Sequence, residues 1–433
     1  MKKLFLYAAA LVLLASCAKT PERYFVKVDG VRFTQNGKPY YYTGTNMWYG
    51  AWLGRPGAAG DRERLVKELD ILAANGITNL RILAASEAWE REKILSPAFQ
   101  PAPGEVNSEL LAGLDFFLAE MGKRDMKAVV FLNNFWEWSG GMSIYQAWYA
   151  GETPIDPNAG GFWGDFANQS GRFYSNKAGN DAWRVYIKNL IERKNSVTGT
   201  LYKDDPTIMS WQLANEPRPG GNDSTGEANV DAWVRWMDET AAYIKSLDSN
   251  HLVSTGNEGT MGSLGSAGHF KKGHISPNID YLTFHMWAKN WGWFKADSME
   301  KTFPATLANA AKYIDDHIIY ATELNKPIVM EEFGLGRDYE RNEPGTPTTY
   351  RDRYFAMVFG KVEEAMKNST PLAGTNVWAW GGLGRSPQPD FYWRAGDPFM
   401  GDPPQEPQGL NSLFASDSTT LAIFKKHAEF LRK

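Results

Sequence analysis

Short apolar runs alternate along this chain with longer segments whose apolar positions recur at three- and four-residue spacing. That rhythm predicts strand and helix by turns. Residues 25–28 and 31–33, joined by Asp29-Gly30, predict a hairpin. A small hairpin ahead of a closed sheet is placed to plug its base. Eight runs then predict buried strands: residues 40–46, 78–83, 128–132, 208–213, 251–254, 280–285, 327–333 and 374–380. They lack the strict alternation of a half-exposed strand, as expected in a parallel sheet covered on both faces. The helical periodicity falls between and after them, at residues 61–74, 110–123, 182–194, 232–246, 304–325, 350–366 and 421–431. Eight such repeats predict a (β/α)8 barrel, a TIM barrel in the α/β class. A doubly wound sheet would carry a G-x-G-x-x-G fingerprint after its first strand, whereas Gly44-Thr45-Asn46 is followed by Trp48 and Tyr49. Two connections stand out: an aromatic, Gly-rich loop from Asn133 to about Asn180, and a Pro-rich one from Gly381 to about Ser412. Long loops in compact domains are usually functional.

Barrels place their sites at the carboxyl ends of the strands, so polar residues that end apolar runs are the candidates for chemistry. The fourth strand, Ile208-Met-Ser-Trp-Gln-Leu213, ends in Asn215-Glu216-Pro217. The seventh, Ile328-Val-Met330, ends in Glu331-Glu332-Phe333-Gly334. Two carboxylates at the mouths of two buried strands form a candidate acid and nucleophile pair for glycoside cleavage. Strand alternation is expected to turn Glu331 away from the barrel axis, toward a basic neighbour. Other strand ends carry Arg81, Asn133 with Asn134, His285, and Trp378.

Composition narrows the field further. The 433 residues, 43% hydrophobic, fill a barrel-sized core, and the formal charge of -4 offers no basic face for nucleic acid. Among the 14% of aromatic residues are 17 Trp and 19 Tyr, as suits stacking on sugar faces or core packing. The six His form no H-E-x-x-H or similar cluster, so neither metal nor other cofactor is expected. Cys17, the single cysteine, excludes an intrachain disulfide. Lys2-Lys3 and the apolar run over residues 4–14 predict a signal peptide, and Leu14-Ala15-Ser16-Cys17 resembles a bacterial lipobox. The expected layout is a signal segment over residues 1–17 with lipid attached at Cys17, a tether over residues 18–22, and one catalytic domain over residues 23–433. Such a protein sits in the cell envelope, on the periplasmic face or outer surface of a bacterial membrane, held by its lipid anchor alone. Its oligomeric state is open.

The W-Q-L-A-N-E-P and E-E-F-G segments resemble the acid/base and nucleophile signatures of clan A glycoside hydrolases, family 5, over nearly all of the mature sequence. That resemblance implies a retaining hydrolase in which Glu216 is the general acid/base and Glu332 the nucleophile. Arg81 is then expected to hold Glu332 ionised while Glu216 stays protonated. Asn215 resembles the amide that binds the sugar 2-hydroxyl, and His285 the strand-six histidine that orients the catalytic groups. Trp287 stands where many members have Tyr. Asn133-Asn134, Trp136-Glu137-Trp138-Ser139-Gly140-Gly141 and Phe284-His285-Met286-Trp287 resemble the mannan-degrading subfamily. The implied substrate-binding set is Arg81, Asn133, Asn134, Trp136, Asn215, His285, Trp287 and Trp378. The implied substrate is β-mannan or manno-oligosaccharide. Runs such as Gly60-Asp61-Arg62 and Gly401-Asp402-Pro403-Pro404-Gln405-Glu406 resemble an exo-acting β-mannosidase. An endo-β-1,4-mannanase is the alternative within the family, and an inactive carbohydrate-binding lipoprotein the alternative outside it.

Overall fold

The computed structural model describes residues 24–433, so the expected signal segment, Cys17 and tether lie outside the described residues. The chain enters through an antiparallel hairpin, β1 (Val26–Asp29) and β2 (Arg32–Gln35), to which β3 (Lys38–Pro39) adds a short third strand. Val26 and Phe33 pack with Tyr42, Val129, Met209, Tyr281 and Val329 in one buried cluster. Those partners come from four strands of the main sheet and from the residue just ahead of a fifth, so the hairpin does plug its base.

The eight strands of that sheet are β4 (Tyr42–Asn46), β5 (Asn79–Leu83), β6 (Lys127–Phe131), β7 (Ile208–Gln212), β8 (Leu252–Ser254), β9 (Leu282–Met286), β10 (Ile328–Phe333) and β11 (Leu372–Val377). All pair in parallel, in the spatial order β8-β7-β6-β5-β4-β11-β10-β9. A bridge between Ser254 and Tyr281 joins the two ends and closes the barrel. Every residue of the eight strands is buried, which explains the unbroken apolar runs.

Three expectations need correction. The connection after β6 is not an unstructured loop: it holds helices Gly141–Ala150 and Trp163–Gly171, and helix Lys177–Ile191 begins before Asn180. Gly140 and Gly141 read as loop formers, but their role is local. Gly140 adopts φ +91°, and a Cβ there would stand 2.2 Å from the Glu87 carbonyl oxygen. The helix expected to begin at Pro304 starts at Met299, and Pro304 lies inside it. The eighth strand ends at Val377, short of the expected Trp380. Trp380–Gly382 is a separate strand, β12, paired with β13 (Leu413–Phe414) at the neck of the Pro-rich insertion.

Candidate active site

The carboxyl ends of β5, β7, β9 and β10 converge on Arg81, which is fully buried. Its guanidinium donates to Glu332 Oε1 at 2.5 Å, to Asn215 Oδ1 at 2.7 Å, to Gln212 Oε1 at 2.7 Å and to Asn46 Oδ1 at 3.1 Å. Its face lies 4.6 Å from the Phe131 ring. Arg81 is thus a hub that holds the Glu332 carboxylate and three amides, with no wall of the cleft to itself. Next to it, Glu216 takes an N–H from Trp136 Nε1 at 2.5 Å on Oε2 and lies 2.6 Å from His285 Nδ1 through Oε1. The same His285 nitrogen lies 3.4 Å from Glu332 Oε2. One oxygen of each glutamate and this ring nitrogen all fall within 4.8 Å of one another. Retaining glycosidases hold their carboxyls about 5 to 5.5 Å apart and inverting ones about 6.5 to 9.5 Å, so this spacing fits the retaining class. Three such donors also meet the description of a cation site, but the guanidinium 2.5 Å from Glu332 opposes a second positive charge.

Glu331 corrects the alternation argument. It points into the barrel, where its Oε2 accepts from Gln212 Nε2 at 2.6 Å and lies 3.8 Å from Arg81 Nε. The register of β10 against β9 slips between Met330 and Glu332. One extra residue on the strand lets two successive carboxylates face the same side. The expected basic partner is present, in the shape of Arg81.

The remaining predicted residues divide into those that line the cleft and those beneath it. Trp136, Asn215, Glu216, Trp287, Glu332 and Trp378 border a cleft of about 750 Å³. The Trp287 and Trp378 rings meet edge to face at 6.3 Å. Among the described residues, the side-chain partners of Glu332 are Arg81 and His285, so Trp287 does not supply the hydrogen bond of the more usual tyrosine. Asn133 and Asn134 are off the cleft wall, contrary to their expected contact with substrate. Asn134 accepts from Asn215 Nδ2 at 3.1 Å and from the Trp136 amide at 3.0 Å, and Asn133 accepts from the Asn134 amide. They brace the residues above them because a bridge between Asn134 and Asn215 continues the β6–β7 pairing past the strand ends.

Two functional candidates escaped the sequence reading. Arg218 forms an ion pair with buried Glu258 and lies 5.4 Å from the Trp136 ring and 5.6 Å from that of Trp163. Both charged residues line the cleft. Arg218 directly follows Pro217, and Glu258 stands four residues beyond β8, past the end of its apolar run.

Burial and neighbouring charges act on both carboxyls. Burial pushes the Glu332 carboxyl well above the usual range, against the pull of Arg81 and with the added repulsion of Glu216. Burial acts on Glu216 in the same sense, but the His285 hydrogen bond and charge, then Arg218 and Trp136, outweigh it and bring that carboxyl down to about 2. Two carboxyls this close titrate as a coupled pair, and burial with their mutual repulsion favours keeping one proton on the pair. The sequence argument weighed Arg81, the negative neighbour and burial, but not the donors gathered on Glu216. Burial lowers His285 to about 4, against the hydrogen bond and charge of Glu216, which raise it.

Comparison with known proteins agrees with this geometry. Residues 23–433 match the model described as GH family 5 beta-mannosidase-like. The chain is 32% identical over 396 residues to mannan endo-1,4-beta-mannosidase 7 of Arabidopsis thaliana, covering 87% of this chain and 84% of that protein. The crystal structure of a glycoside hydrolase family 5 mannosidase from Rhizomucor miehei superposes with a TM-score of 0.86 at 35% identity, over 94% of this chain and 98% of that one. An endo-1,4-beta-mannanase from Rhizomucor miehei gives a TM-score of 0.68 at 25% identity, over 94% and 99%. With a barrel, a buried glutamate pair at retaining distance and a family match over almost its whole length, the chain belongs to glycoside hydrolase family 5 and is a glycosidase.

Proposed function

We propose that the protein cleaves β-1,4-mannosidic linkages in mannan and manno-oligosaccharides by double displacement, acting from the chain end as an exo-β-mannosidase. The linkage follows from its relatives, which include a mannosidase and mannanases. In this reading Glu332 attacks the anomeric carbon and Glu216 protonates the departing oxygen, then activates water for the second step. Turnover needs the proton on Glu216. His285 Nδ1, 2.6 Å from Glu216 and 3.4 Å from Glu332, holds the two carboxyls in register beside the scissile bond. Asn215, held by Arg81 and Asn134, presents its amide to the 2-hydroxyl, and Trp136, Trp287 and Trp378 supply ring faces to the sugar.

The exo assignment rests on one observation: the Pro-rich insertion forms a wall of the cleft. Pro403, Gln405, Glu406, Leu410 and Asn411 line it. The wall is tied down rather than draped. Asp402 accepts from the Gly409 and Asn411 amides, each at 2.7 Å, and from the Ser412 hydroxyl at 2.6 Å. Trp48 Nε1 donates to the Gly401 carbonyl at 2.8 Å and Arg64 to that of Phe399 at 2.7 Å. A fixed wall beside Trp378 limits how many sugars fit beyond the cleaved bond. Mannohexaose is therefore expected to release mannose as the first product, with little fall in the viscosity of soluble mannan per reducing end formed. Early mannobiose and mannotriose with a steep viscosity fall would establish the endo reading, which the plant relatives' names favour.

We also propose that Cys17 carries the lipid anchor of an envelope protein, on the strength of its Leu-Ala-Ser-Cys setting. Among the described residues no helix is long and apolar enough to cross a membrane. Cys17→Ser is expected to move the protein from the detergent-rich to the aqueous phase on phase separation, with kcat/KM unchanged. A wild type that already partitions into water overturns this assignment.

A further inference from the structure

A second cavity, of about 640 Å³, opens between residues 88–98 after β5 and residues 390–395 of the insertion. It shares no lining residue with the catalytic cleft. An aromatic partition separates the two: Trp138 on the cleft side packs against Trp48, Trp48 against Phe399, and Phe399 stacks at 5.3 Å on Trp393, which lines the second cavity. Its volume is in the range of ordinary ligand sites.

The chemistry of its lining is specific. Three cations and three acids face it, and the cations are already engaged. Arg91 pairs with Asp156 at 2.7 Å and lies 4.8 Å from the Trp89 ring. Arg394 pairs with Asp390 at 2.8 Å. The Lys93 ammonium sits 3.6 Å from the centre of the Tyr392 ring, joining the two loops. Lys93 holds a left-handed φ of +55°, an uncommon conformation for a residue with a side chain. Strain of this kind gathers at ligand clamps. The Glu90 and Glu92 carboxylates have no ion-pair partner among the described residues. An acidic ligand would meet those two carboxylates, and a cationic one the three positive side chains. A neutral polyol suits the lining better: it offers hydroxyls to the free acceptors, takes N–H donors left over on the cations, and lays its C–H groups against the Trp89 and Tyr392 rings that line the cavity.

We propose that this cavity is a second carbohydrate-binding site, taking a neutral stretch of the polysaccharide whose linkage is cut in the cleft. The identity of that polysaccharide rests on the mannan reading above. Holding the polymer at a second point raises the local concentration of chain ends at the cleft without altering the chemistry there.

The test is affinity electrophoresis through gels containing soluble mannan, hydroxyethylcellulose or polygalacturonate, with Glu332→Ala present to prevent digestion. Adding Trp89→Ala and Tyr392→Ala is expected to weaken retardation by mannan about tenfold. In the otherwise intact enzyme the same two substitutions are expected to leave kcat/KM on an aryl β-mannoside within about twofold. Glu90→Gln with Glu92→Gln, at exposed positions, is expected to weaken retardation in the same direction and keeps the test decisive if the aromatic variant does not fold. Unchanged retardation by mannan overturns the proposal. So does stronger retardation by polygalacturonate, or a parallel loss on the small mannoside, which would make the cavity part of the cleft. Failure of the wild type to cleave the mannoside would instead strike the mannan reading.

Discussion

Glu332→Ala and Glu216→Ala are each expected to lower kcat/KM on an unactivated mannoside by about 10⁴-fold or more, with the fold intact. Each removes a reacting group while sparing the apolar packing around the barrel. The two variants separate on a substrate with a good leaving group. Such a group departs without a proton, so Glu216→Ala should still form the glycosyl-enzyme and then stall, because no base activates water for the second step. A burst of aryl alcohol followed by a slow steady state is the expected trace, and azide should accelerate turnover by attacking the intermediate in place of water. Glu332→Ala should show neither burst nor azide rescue to the retained product. Normal turnover of the unactivated mannoside by either variant would overturn the assignment of both roles, since among the described residues no other carboxyl joins the group that Glu216 and Glu332 form with His285 within 4.8 Å.

The contrast between what the sequence showed and what it hid follows from the range of the interactions involved. Glu216 and Glu332 were legible because each ends an apolar run, and a barrel turns such an ending into a position at its mouth. Arg81 and His285 were legible as polar residues set within otherwise apolar strands. Glu331 was misread because a register slip between Met330 and Glu332 belongs to the pairing of two strands and leaves no mark in either one. Asn133 and Asn134 were placed on the right level but one layer too high, since only the bridge to Asn215 reveals that they support rather than line the cleft. The donors on Glu216 were hidden because they come from Trp136 and His285, 80 and 69 residues away. The wall was the opposite case. Its proline and aromatic content marked it as stiff, and the Asp402 network that fixes it lies within the insertion itself, between residues 402 and 412.

Arg81→Met should cost about 3–5 kcal/mol of stability as well as activity, the usual consequence of removing one partner from a buried charge cluster. The loss exceeds that of an ordinary ion pair because one guanidinium serves two carboxylates, Glu331 and Glu332, and three neutral acceptors. No solvent replaces it, since Arg81 is wholly buried. The deficit has a definite pH dependence. Burial already raises Glu331 to about 7 and Glu332 well above the usual carboxylate range, with Arg81 pulling both down. Without Arg81 both rise further. A carboxyl whose folded pKa lies above its unfolded value binds more protons folded than unfolded between the two, so its contribution to stability is lost as pH rises through that window. Urea denaturation should therefore show the smaller difference from wild type near pH 5, where both carboxyls can take protons, and the larger near pH 9, where at least one must be buried as an unpaired charge. Arg81→Lys should recover part of the stability and little of the activity, because a lysine restores the charge but not the fork that aligns Glu332 with Asn215. An Arg81→Met deficit that is flat with pH, or one below about 1 kcal/mol, would show that the cluster is held by its neutral hydrogen bonds rather than by the guanidinium charge.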